Sequence, residues 1–150
     1  MLTEKVVTNK MCLFCASDFH LEMILLPYIK EKIDEYKFVI FTENDLEDTV
    51  NTLLEKVNIN DEYKDKIRKI NWKNENKLEY TKNLIENKQK LNIIVNGDYN
   101  YIENINGKLK EFVNSEIDII DCYHIEDSNV DITKLKSEYK NILNTKKVTS

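Results

Sequence analysis

The feature that most constrains this chain is a repeated change of hydrophobic period. Apolar runs of four to seven residues alternate five times with longer stretches in which apolar residues recur every three or four positions. The first pattern suits a strand buried on both faces, and the second suits a helix with one apolar stripe. Repeated strand–helix units of this kind close into a parallel sheet, because each crossover helix must return the chain to the same end of the sheet.

The units are read in order. A strand at residues 11–16 precedes a helix carrying Leu21, Ile24, Leu25, Tyr28, Ile29 and Ile33, with Pro27 as an expected kink. A strand at 38–41 precedes a helix carrying Leu46, Val50, Leu53, Leu54 and Val57, and Asn44 with Glu47 has capping-box spacing. After a polar connection at 58–66, a strand is expected at 67–71 and a helix at 75–88, with Leu78, Leu84 and Ile85 inward. A strand at 91–95 leads to a helix carrying Ile102, Ile105, Leu109, Phe112 and Val113, weakened by Gly107. The last strand, 117–123, leads to a helix capped by Asp131 and carrying Ile132, Leu135, Tyr139, Ile142 and Leu143. The 150 residues form one α/β domain: a mostly parallel five-stranded sheet with helices on both faces, a Rossmann-like or RecA-like three-layer sandwich. Residues 1–9 and 146–150 are expected to be flexible.

Composition narrows the function. The net charge is −5, and 22 basic residues are interleaved with 27 acidic ones, so no basic stripe points to nucleic acid. No wholly apolar run is longer than the six residues 11–16, and Glu4, Lys5 and Lys10 interrupt the start, so neither a membrane span nor an export signal is read. A cytoplasmic location is expected. Cys12 and Cys15 form a C-x-x-C inside a strand, where positions i and i+3 face opposite sides, so reduced buried thiols are expected rather than a redox or zinc pair.

Ligands of an open parallel sheet bind at the carboxyl ends of its strands. Those ends carry Ser17, Asp18 and His20, then Glu43, Trp72, Asp98 with Tyr99, and His124. Asp18, His20, Glu43, Trp72, Asp98, Tyr99 and His124 are therefore the candidate ligand-binding residues, with Trp72 and Tyr99 as apolar walls and a histidine as polar contact. Plainer roles compete at each position. Ser17 or Asp18 suits a helix cap with His20 in the first turn, Asp98 suits a second cap, and Trp72 suits the core. No metal-ligand spacing joins Asp18, His20, Asp98 and His124, and neither a metal nor another cofactor is expected. The stretch from Thr42 to Asp48 has four carboxylates and no glycine, unlike a phosphate-binding loop, so tight ATP or GTP binding is not expected.

Several strings resemble the MEDS sensory domains, relatives of the RecA/KaiC-like ATPase fold that lack the phosphate-binding loop. They are Cys12 to Cys15, Leu25 to Ile29, Phe38 to Asn44, Ile94 to Gly97 and Ile119 to Tyr123, spanning roughly residues 10 to 125. That family opens with a histidine and an aromatic pair around its first strand, where this chain has Met11, Cys12, Phe14 and Cys15. His20 follows the strand and is not equated with the family histidine, so no functional residue is carried over. The resemblance implies a non-catalytic sensory or regulatory role in signalling or transcriptional control, with a small molecule or a protein as partner. The alternatives are a small metal-dependent hydrolase using Asp18, His20, Asp98 and His124, and an adaptor protein without a pocket.

Overall fold

A computed structural model describes residues 9–111, 117–143 and 148–149. The elements are β1 (Asn9–Cys15), α1 (Asp18–Lys32), β2 (Lys37–Thr42), α2 (Glu47–Lys56), α3 (Asp61–Arg68), α4 (Leu78–Glu86), β3 (Leu91–Gly97), α5 (Tyr99–Leu109), β4 (Ile117–His124), α6 (Ile132–Glu138), β5 (Asn141–Leu143) and β6 (Val148–Thr149). The sheet order is β2-β3-β4-β1-β5-β6. Strands β1 to β5 are parallel, and the two-residue β6 is antiparallel to β5. No helix of the described residues is long and apolar enough to cross a membrane.

The three-layer α/β arrangement follows from strand alternation. Met11, Leu13, Cys15, Ile40, Ile94, Ile120 and Cys122 bury one face against Leu21, Leu25 and Ile29 of α1, Val50 and Leu54 of α2, and Ile67 of α3. Cys12, Val39, Phe41, Ile93, Val95, Ile119 and Tyr123 bury the other against Ile102, Ile105 and Leu109 of α5 and Leu135 of α6. Cys12 and Cys15 thus enter opposite cores, both free and buried. Burial pushes both thiols up to about 12.

Two elements differ from the sequence expectation. Residues 67–68 end helix α3 instead of opening a strand. Asn60 caps α3 by accepting from the Glu62 amide at 2.7 Å, with Asp61 and Glu62 in its first turn and Lys66 and Arg68 in its last. Ile67 is its one buried residue, so the helix shows no apolar stripe in sequence. The fifth parallel strand is instead Asn141–Leu143, pairing with β1 at Met11 and Cys12, where a continued helix was expected. Tyr139 ends α6 in extended backbone (φ −113°, ψ 135°), and its hydroxyl donates to Asp121 Oδ2 at 2.5 Å. Phe112 and Val113, and the expected flexible ends except for Asn9, Val148 and Thr149, lie outside the described residues.

The β2–β3 connection runs from the α1–α3 face, past the outer edge of β2, to the α5–α6 face. Lys77 pins it there. Its buried ammonium donates to the carbonyls of Ile40 (2.5 Å), Asn71 (2.8 Å) and Lys73 (2.8 Å). Ile40 lies on the edge strand, so the lysine occupies an acceptor that would otherwise invite another strand.

Candidate functional site

The chain leaves β1 toward one face of the sheet and leaves β4, its neighbour, toward the other. Loops that diverge in this way open a crevice at the carboxyl ends. Asp18 enters it from the β1 side and His124 from the β4 side, with His124 Nε2 at 3.5 Å from Asp18 Oδ1. Both side chains are partly exposed, Asp18 by 30% and His124 by 22%.

A chain of hydrogen bonds fixes the histidine. The Asn44 carbonyl can only accept, so the Thr42 hydroxyl donates to it at 2.5 Å. Thr42 Oγ1 then accepts from Asn96 Nδ2 at 3.1 Å, which turns Asn96 Oδ1 toward His124 Nε2 at 2.7 Å. His124 therefore carries a proton on Nε2, and in the neutral ring Nδ1 is the acceptor. Thr42 and Asn96 are paired neighbours at the ends of β2 and β3, and His124 ends β4. One residue from each of three adjacent strands sets a single proton position.

The carboxylates beside the histidine are poorly satisfied. Asp18 Oδ1 is buried without a hydrogen-bond partner, and Oδ2 receives only a long 3.4 Å contact from Asn44 Nδ2. One turn further along α1, Glu22 is fully buried. Its Oε2 accepts from the Thr49 hydroxyl of α2, and its Oε1 has no partner. Burial is the main cause that raises the Glu22 carboxyl from 4.5 to about 7; the Thr49 hydrogen bond opposes it, and the Asp18 charge adds to it.

The residues expected from sequence fall into two groups. Asp18 and His124 meet, and Glu43 and Asp98 border them. Glu43 Oε1 accepts from the Asp98 amide at 2.9 Å, and Asp98 caps α5 by accepting from the Tyr101 amide at 2.8 Å. An added Cβ on Gly97 would lie 2.5 Å from the Tyr101 ring and 3.0 Å from Glu43 Oε1, so the close approach here requires glycine. The others point elsewhere. His20 Nδ1 accepts from the Ala16 amide at 2.9 Å, within the turn that Ser17 caps. Trp72 is in the core, not a pocket wall, with its indole donating to the Ile67 carbonyl at 3.0 Å. Tyr99 lines a separate hollow of about 310 Å³ with Asn129, Asp131 and Lys134. Asn44 does not cap α2; Asp45 takes the Glu47 amide at 2.9 Å instead.

Of the four residues of the hydrolase alternative, Asp18 and His124 meet, while His20 turns to the Ala16 amide and Asp98 caps α5. Among the described residues no three His, Cys, Asp or Glu side chains are grouped to hold a metal ion. A hollow of about 650 Å³ lies at the outer edge of β2, lined by Ile33, Tyr36, Phe38, Ile70, Lys77 and Tyr80. It holds none of the residues that sequence reasoning singled out. We place the site at the crevice because chemistry, not volume, converges there. Thr42, Asn96 and Glu22 escaped the sequence reading: two look like ordinary strand residues, and the third lies on the buried face of a helix.

Fold and crevice define the class: a doubly wound α/β protein with a polar crevice at its topological switch point. No family model, no curated protein and no solved structure matches the chain.

Proposed function

We propose that the chain is a non-catalytic sensory or regulatory domain that takes a small polar molecule in the β1–β4 crevice. The observation that carries this reading is His124, held through Nε2 by Asn96 and lying 3.5 Å from an under-satisfied Asp18. Holding a side chain in one tautomer costs a polar network across three strands, and a recognition contact gives that network a use. Nucleophilic chemistry is poorly served. The nearby thiols are buried and protonated, and the Ser17 hydroxyl accepts from the His20 amide as a helix cap. The resemblance to MEDS sensory domains supports the same reading, as does the acidic stretch after β2, which disfavours a nucleotide.

Screening small molecules from cell extract against the ¹⁵N-labelled chain tests it. Shifts should gather on residues 16–22, 42–44, 96–98 and 124, and His124→Ala should weaken binding about tenfold, the loss of one good polar contact. Shifts confined to the β2-edge hollow, with affinity unchanged by His124→Ala, would place the function elsewhere.

A further inference from the structure

The ligand's chemical class can be read from which polar groups in the crevice are left over. We infer that the crevice selects a small organic cation with N–H donors: an ammonium, amidinium or guanidinium on a short apolar body. This rests on the crevice being a ligand site, and it goes beyond that reading by fixing sign and donor character.

The first ground is the pattern of engaged carboxylates. Glu43, Asp98, Asp127 and Asp45 each accept a backbone amide, from Asp98, Tyr101, Tyr99 and Glu47 respectively. Those bonds assign them to loops and helix starts. Asp18 and Glu22 accept no backbone amide, and each keeps a buried oxygen with no partner. Buried acceptors without donors are costly and are rare unless something completes them. Side chains on a helix lean toward its N-terminus, and the N-terminus of α1 is at the crevice. Glu22 therefore leans toward Asp18, whose charge it feels.

The second ground is the histidine. Its Nε2–H is given to Asn96 and lies 3.5 Å from Asp18 Oδ1, so the neutral ring has only an acceptor, Nδ1, left to offer. Asp18 thus asks for N–H groups, as does Glu22 once it has given up its proton, and the one ring proton assigned to His124 is already engaged by Asn96. The third ground is charge segregation. The loops following β1 to β4 hold Glu43, Asp45, Asp98, Glu126, Asp127 and Asp131 but no lysine or arginine, and Lys73, which reaches their side, is paired with Glu47; the opposite ends of the strands mix lysines with acids. An anion entering the crevice would meet like charge. The positive end of the α1 dipole opposes this preference, but it amounts to about half a charge, and Asp18 sits in its first turn. Phe19 and Ile125, 53% and 47% exposed, follow closely on the two strands that flank the crevice. They offer apolar contact to the body of an organic cation.

Calorimetry on the full chain near neutral pH tests this, with propylammonium, propylguanidinium and 1,4-diaminobutane as cationic probes. Propionate and inorganic phosphate serve as anionic probes, and propanol as a neutral one. A cation should bind at least about tenfold tighter than any anion, and Asp18→Asn should weaken it by about tenfold or more. A cation beside Glu22 favours its charged form, so binding should release protons, visible as a buffer-dependent heat that Glu22→Gln abolishes. Ser17, not Asp18, caps α1, so Asp18→Asn should fold, and circular dichroism checks it. Preferential binding of an anion or neutral probe, lost on His124→Ala, overturns the cationic class while leaving the ligand-binding reading intact. Cation binding indifferent to both Asp18→Asn and Glu22→Gln overturns the inference, as does no saturable binding by any cation. If no probe and no extract molecule binds in a His124-dependent way, the ligand-binding reading falls as well.

Discussion

Glu22→Gln tests the buried carboxyl through stability alone, with no ligand required. The side chain is fully buried, with one oxygen held by Thr49 of α2 and the other unpartnered next to Asp18 of α1. Its carboxyl is raised from 4.5 to about 7, chiefly by burial. Each tenfold change in proton affinity is worth about 1.36 kcal/mol, so the displacement amounts to roughly 3 kcal/mol. The sign follows from proton counting. Between about pH 4.5 and about 7 the unfolded chain has released this proton and the folded chain has kept it. Folding is favoured by proton uptake over that window, so stability is fully present below it and falls as pH rises through it. The glutamine variant loses that dependence, and any cost of burying an amide is the same at every pH. Urea unfolding of both proteins across the window gives a difference curve free of the other titrating groups. The variant should gain about 2–3 kcal/mol relative to the native chain between the bottom and top of the window. A flat difference curve would show that Glu22 titrates normally, and with it would fall the picture of a desolvated carboxyl beneath the crevice.

Two further outcomes probe the frame around the site. Lys77→Met strands three carbonyls that now share one ammonium, and should lower urea-unfolding stability by about 2–4 kcal/mol, with faster amide exchange along β2. Gly97→Ala forces Tyr101 and Glu43 apart and should cost about 1–3 kcal/mol in thermal unfolding, where an unchanged melting point would deny the close approach.

Periodicity made four of the five parallel strands legible, because a strand buried on both faces is mostly apolar, with Asn92 and Asp121 as exceptions here. Leu25, Ile40, Leu54, Ile93, Val95, Ile119 and Leu143, all expected in the core, are buried. The misreadings share one cause. Tyr139, Ile142 and Leu143 continue the helical spacing of Leu135, and three residues are too few to tell a period of two from one of 3.6. Tertiary contacts decide there: β1 has a vacant side that β5 fills, and Asp121 and Tyr123 hold Tyr139 beside it. At 67–71 the apolar residues Ile67 and Ile70 suggested a strand, whereas the Asn60 cap and the charge order of α3 made the helix.

The site was legible in place and not in role, for a reason that applies to any acidic strand edge. Sequence shows carboxylates following each strand, but helix starts and tight turns need acceptors there as much as a ligand does. Only coordinates show which acceptors are already engaged. Asp98 and Glu43 are held by amides of α5 and its approach, and His20 by the amide of Ala16. Either Ser17 or Asp18 could have capped α1, and Ser17 supplies the cap and frees Asp18. That one-residue difference turns Asp18 from a structural acceptor into one facing His124. Burial of Glu22 one turn away then concentrates unmet acceptor capacity at the place where the topology parts the loops.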